Sequence, residues 1–347
     1  QPMDTANLII DQFGSYLGKH SERLQVKLKG ELLAEAPLLT LENVLIIGRG
    51  VSISTDALDL CAEQGIPVYC LSSRGEPYAA LYAAGLGGTV QTRRAQYEAY
   101  KDPRGAALAA AFATGKLQNQ ARLLKYAAKN RKEKDPACYA ALHAAAKQVT
   151  AHLRPVQEWL TSVTDLNSET RRAELLSIEG RAAQAYWEGV RALVPEALGW
   201  PGREGRGARD PFNAALNYGY GVLYGQVERA ILLAGLDPYA GFIHVDRPGK
   251  PSLVLDLIEE FRAPVVDRVI LGLMGQGVAL AQDEEGRLIL ETRRTIAERV
   301  LARLEESSER YEGKKQKLRW ILQSQARHLA AYLRGERPDY QAFVMGW

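Results

Sequence analysis

The spacing of apolar residues changes period near residue 95, and that change limits what the chain can fold into. Before it, RLQVKL alternates, with Leu24, Val26 and Leu28 on one face and Arg23, Gln25 and Lys27 on the other. That is the pattern of a half-buried strand. NVLIIG is a continuous apolar run suited to a buried strand, and ANLIID, IPVYCLS and EPYAALYA read as further strands. Lys29-Gly30 marks a turn, and Ser54 is placed to cap a short helix that ends at Gly65. After residue 95, apolar residues recur at intervals of three and four. Segments 107–131, 137–153, 169–194, 213–235 and 288–306 read as helices between Gly- and Pro-rich breaks. The expected architecture is α+β. A small β-rich N-terminal domain (1–95) precedes a larger all-α domain (96–347), which a chain of 347 residues can accommodate.

Composition narrows the function classes. An apolar fraction of 46% with 24% charged residues is that of a globular protein. The three cysteines, Cys61, Cys70 and Cys138, form no CxxC pair. That argues against a zinc ribbon or a disulfide scaffold and fits a reducing cytoplasm. No apolar run approaches the ~18 residues of a membrane span, and the N-terminal stretch lacks the marks of a signal peptide. The net charge of +3 is too small to imply nucleic acid by itself, so the distribution of charge must decide.

Two phosphate motifs fail on inspection. Gly48-x-Gly50 lacks its third glycine, because position 53 is Ile53. Gly249-Lys250 has His244 where a phosphate loop needs glycine, and Pro251 where it needs Ser or Thr. No HExxH pair occurs among the five histidines.

Acids in apolar surroundings are more informative. In ELLSIEGRAAQAYWEGV (174–190), Glu179 falls on the stripe of Leu175, Ile178, Ala182 and Tyr186, with Glu174 and Glu188 towards its edges. A carboxylate there needs a partner, either an arginine such as Arg172 or Arg181, or a metal ion. In GFIHVDRPGKPSLVLDLIEEFR (241–262), Ser252 is a plausible cap for a helix over about 253–262. Such a helix puts Asp256, Glu259 and Glu260 on one side. His244 approaches from before the turn. One histidine with several carboxylates is an oxygen-rich set that suits Mn²⁺ or Mg²⁺. The competing reading is a solvated acidic helix face.

Basic residues gather at 116–134, at 314–319 (KKQKLR) and in the loop carrying Arg203, Arg206 and Arg209. Three such clusters beside acidic metal candidates point to a polyanion. Tyr186 and Tyr218 are candidates for stacking on bases, against the alternative that they are core residues.

The chain resembles the CRISPR-associated spacer-acquisition integrase family, the "protein one" of those systems. The stretch from ERLQVKL to IPVYCLS looks like that family's β-domain, and GKLQNQ like its early helical motif. IEGRAAQAYW and the run from DPFNAAL to DLIEEFR look like its catalytic region. The resemblance implies a metal-dependent DNA endonuclease and integrase that inserts foreign DNA into a repeat array by 3′-hydroxyl transesterification. It carries Glu179, His244 and Glu259 over as metal ligands for Mn²⁺ or Mg²⁺, with Asp256 as a neighbouring catalytic acid. It implies double-stranded DNA as substrate, a homodimer built through the N-terminal domain, and a small "protein two" dimer as partner. Arg247, Lys250 and Arg262 are candidate DNA-backbone contacts. A repair nuclease acting on branched DNA and a non-catalytic nucleic-acid scaffold are the alternatives.

Overall fold

A computed structural model describes residues 7–82, 90–163, 169–205, 207–244 and 247–346. The N-terminal region holds two four-stranded sheets. The first has the order β1-β5-β7-β8, from β1 (Asn7–Ile10), β5 (Asn43–Ile47), β7 (Val68–Leu71) and β8 (Pro77–Leu81). Its first three strands are parallel, and β8 returns antiparallel. The second has the order β4-β3-β2-β6, from β2 (Tyr16–His20), β3 (Arg23–Leu28), β4 (Glu31–Pro37) and β6 (Ser52–Ile53). Helix α1 (Thr55–Glu63) is capped by the Ser54 hydroxyl, which accepts from the Ala57 amide.

The first sheet is buried on both faces. Val44 and Ile46 of β5 and Val68 and Cys70 of β7 join a core with the second sheet and α1. The alternate residues Leu45, Ile47, Tyr69 and Leu71 join the core of the helices instead. A strand buried on both sides must be apolar at every position, as NVLII is after its first residue.

The remainder is largely helical: α2 (Val90–Ala99), α3 (Pro103–Ala128), α4 (Pro136–Ala151), α5 (Leu153–Ser162), α6 (Glu169–Arg191), α7 (Pro211–Leu233), α8 (Ser252–Leu257), α9 (Glu259–Phe261), α10 (Arg268–Gly275), α11 (Leu290–Glu306) and α12 (Leu318–Leu333). Within this helical part, a hairpin of β9 (Ser308–Tyr311) and β10 (Lys314–Lys317) joins α11 to α12. The basic KKQK run therefore lies on a strand. All three cysteines are buried and free. Among the described residues, no helix is long and apolar enough to cross a membrane.

Candidate metal and DNA site

The single helix expected over 253–262 is broken. Helix α8 starts after Pro251 with no side-chain cap, so Ser252 is its first residue rather than its cap. After α9 the backbone opens into a π turn over Arg262–Asp267. Pro264 explains the irregularity, because it has no N–H to give to the carbonyl four residues earlier. That carbonyl, of Glu260, is taken instead by the Asn119 amide at 2.8 Å.

The three acids of this segment go to three different places. Asp256 is fully buried and binds the loop in front of it. Its carboxylate accepts from the backbone amides of Phe242 (2.5 Å), Ile243 (3.1 Å) and His244 (3.1 Å), and from His244 Nδ1 at 2.7 Å. This fixes the imidazole, and any ligation by His244 must use Nε2. Glu260 faces the opposite way, to the C-terminal tail. Tyr340 OH (2.6 Å), Gln325 Nε2 (2.7 Å) and the Phe343 amide (2.8 Å) all donate to it. Burial raises its pKa to about 7 despite those donors. Glu259 is 3% exposed and pairs with Arg262 at 2.7 Å and with Lys116 at 3.0 Å. Burial pushes its carboxyl up, but Arg262, Lys116 and His244 together hold it below the usual range. None of the three acids lies on a solvated helix face.

Glu179 is buried on α6, as its stripe position predicted. Its partner is neither arginine named from the sequence. Arg181 bonds the Ser177 hydroxyl, and Arg172 lies over the Tyr100 ring. Lys116 of α3 pairs with Glu179 Oε1, so one ammonium bridges Glu179 and Glu259. Burial opposes the charge on Lys116, but the two carboxylates hold its pKa above the ordinary lysine value. Glu179 Oε2 is buried with no hydrogen-bond partner. Two buried carboxylates sharing a cation, with an orphaned oxygen, match the hard-donor chemistry of Mn²⁺ or Mg²⁺. Among the described residues, no three His, Cys, Asp or Glu side chains converge on one ion position, and Lys116 fills the space between the two acids.

Sequence reading counted Lys116 only as one of a basic run. The hint lay in GKLQNQ, where Lys116, Asn119 and Gln120 place polar groups on the inner side of an Ala-rich helix. Asn119 is fully buried, and its side chain contacts Glu260, Phe343 and Met345 backbone.

Of the DNA-contact candidates, Tyr186 is corrected. It is fully buried, its hydroxyl donates to Asp267 at 2.7 Å, and it has no face free for a base. Tyr218 is likewise in the core. Arg262 is committed to Glu259 and stacks on Tyr220 at 4.8 Å, although it also lines the main cleft. Arg247 is exposed and Lys250 partly so. Arg206 lies outside the described residues. The cleft, of about 1430 Å³, runs between the turn at Arg74–Pro77 and α7; Arg203, Arg209, Lys250 and Arg262 line it, as do Glu76, Glu284 and the Arg287 guanidinium paired with Asp283 and Glu285.

The fold and site define a two-part α+β protein: a sheet region docked on a helical body, with carboxylates gathered around a cation at a broken helix. Residues 8–306 match the family described as CRISPR associated protein Cas1. The chain is 39% identical to a CRISPR-associated endonuclease Cas1 of Archaeoglobus fulgidus, covering 98% of this chain and 99% of that one. It is 34% identical to one from Francisella tularensis subsp. novicida over the same shares. The protein belongs to the Cas1 family. Among solved structures, a casposase bound to integration product superposes with a TM-score of 0.80 at 22% identity, covering 96% of this chain and 92% of that one. A Cas1 protein from Thermotoga maritima does so at 0.75 and 20% identity, covering 98% and 99%.

Proposed function

We propose that the protein is a divalent-metal-dependent DNA endonuclease and integrase of CRISPR adaptation, joining a DNA 3′-end to a repeat array by exchange of one phosphodiester for another. The observation that carries this reading is the pair of buried carboxylates, Glu179 and Glu259, held about one cation beside an imidazole that Asp256 orients. The names of its relatives support it: endonucleases, a casposase bound to integration product, and complexes of Cas1 with Cas2.

Glu179 and Glu259 would hold Mn²⁺ or Mg²⁺ through carboxylate oxygens, and His244 through Nε2. An ion held there would supply positive charge to the phosphate under attack and make the attacking hydroxyl more acidic. Asp256 keeps His244 in place and fixes its tautomer through Nδ1. Arg262 holds Glu259 ionised. Lys250 and Arg247, before α8, would meet a DNA backbone, and Arg203 and Arg262 line both the cleft beneath the Arg74–Pro77 turn and the smaller cavity at Glu259. No side-chain nucleophile is required, so no covalent protein–DNA intermediate forms. Phosphodiester exchange needs no nucleotide energy, consistent with the absent phosphate-loop motif. The assembly is a homodimer joined through its β-rich regions, with a small Cas2-type dimer as partner.

A strand-transfer assay on a repeat-containing plasmid tests this. With Mn²⁺, wild type should give joined products rather than nicks alone. Glu179→Gln and His244→Ala should lose at least ~10²-fold in rate while still binding DNA. Joining that persists in both variants, or in EDTA, would sink the proposal.

A further inference from the structure

The ammonium of Lys116 stands where two acids require a cation. It reaches from α3 to Glu179 on α6 and to Glu259 at 3.0 Å on the broken helix. Beside this pair is a cavity of about 150 Å³, and Lys116, Trp187, Arg203, Tyr220, Glu259 and Asp267 are among the residues that line it. Asp267 is 2% exposed. It accepts from Tyr186 OH at 2.7 Å and Tyr220 OH at 2.5 Å. A carboxylate has about four acceptor positions, so two phenols leave room for another donor.

We propose that Lys116 is a tethered counter-ion. It occupies the metal position in the ion-free protein and withdraws into this cavity, to Asp267, when a divalent ion binds. The proposal rests on the metal reading above. Two buried carboxylates without a cation repel one another and are costly to keep from water. The ammonium removes that penalty in the ion-free state. An ammonium and a divalent ion cannot share the space, because at contact distance their repulsion is large. The flexible lysine stem lets the charge move without the backbone. The neighbouring cations already have partners. Arg262 is paired with Glu259 and stacked on Tyr220, and Arg203 is bonded to Asn213 and Asn217. Arg203 and Arg262 lend Asp267 some positive charge, but among the described residues no ammonium or guanidinium hydrogen-bonds it. Metal affinity is then a competition between the ion and a cation built into the chain.

The test measures Mn²⁺ affinity by calorimetry, with the spin-resonance signal of free Mn²⁺ as a check, on the full chain without DNA. Lys116→Met, Asp267→Asn and the double variant are compared with wild type. Lys116→Met should bind Mn²⁺ at least tenfold more tightly and melt lower than wild type in EDTA. Asp267→Asn should weaken Mn²⁺ binding several-fold when Lys116 is present and leave it unchanged in the Lys116→Met background. Equal or weaker binding by Lys116→Met, with wild type binding well, overturns the exchange and leaves the metal reading standing. So does an Asp267→Asn effect of the same size in both backgrounds. No binding by any variant removes the metal reading and the exchange together. Should Lys116→Met fail to fold, Lys116→Gln carries the same comparison.

Discussion

Glu260 shows how little a residue's type says about its task. It sits beside Glu259 in sequence, yet its carboxylate holds Tyr340, Gln325 and Phe343 rather than facing the candidate site. Three donors do not offset its full burial, and its pKa is raised from 4.5 to about 7. The folded protein therefore binds a proton that the unfolded chain has released between pH 4.5 and 7. In that window stability falls as pH rises, the reverse of the usual carboxylate case. A shift of that size corresponds to roughly 3 kcal/mol. Glu260→Gln mimics the protonated form and keeps the three contacts. In EDTA, urea unfolding should find the variant equal to wild type near pH ~4.5 and more stable by up to ~3 kcal/mol near pH ~8. A constant difference across that range would refute the assignment. None of this was legible locally, because the partners lie 65 to 83 residues away. Glu179 was legible, because its position on an apolar stripe is a local property of a helix, but its partner Lys116 belongs to another helix.

Elements meet where side chains are missing. Gly221 of α7 touches the β7–β8 turn so closely that an added Cβ would fall 1.6 Å from the Gly75 carbonyl oxygen. Gly75 itself has φ of +79° and faces the Tyr218 Cα, so the turn cannot yield easily. Gly221→Ala should destabilise the protein by about 2–3 kcal/mol and displace the turn that roofs the cleft. Gly272→Ala is the control: it lies within α10 with no atom within 4 Å of its added Cβ, and should gain about 0.5–1 kcal/mol. Thermal melts of the two variants should move in opposite directions. Helix existence was readable from apolar spacing, and the five segments named from sequence all contain helices. The starts of α3, α4 and α7 were read late, and that of α11 two residues early. Asp102-Pro103, Asp135-Pro136 and Asp210-Pro211 each cap a helix with Asp and place Pro in its first turn. Asp237-Pro238 carries the same dipeptide without starting a helix, so the pair is a signal only before a periodic run. The β9–β10 hairpin escaped notice because KKQK has no apolar alternation to mark a strand.

At the scale of the molecule, the change of texture near residue 95 marks a change of architecture without marking an energetic boundary. Leu45, Ile47, Tyr69 and Leu71 point from the first sheet into the helical core, each at most 3% exposed. Burial of side chains of this size is worth about 1.5–3 kcal/mol each. Together they approach the ~5–15 kcal/mol that holds a whole domain folded. Arg319 of α12 adds a bond to Glu42 beside β5 and another to Glu305 at 2.6 Å, tying the two regions at the surface. The sheet region expressed alone would expose that apolar face, and the helical region alone would lose one wall of its core. Calorimetry of the full chain should therefore show one transition, with calorimetric and van't Hoff enthalpies in agreement. Residues 1–95 expressed alone should aggregate or bind a hydrophobic dye. Two resolved transitions, or a soluble and cooperatively folded fragment, would show that the wall contributes little and that the regions are independent units.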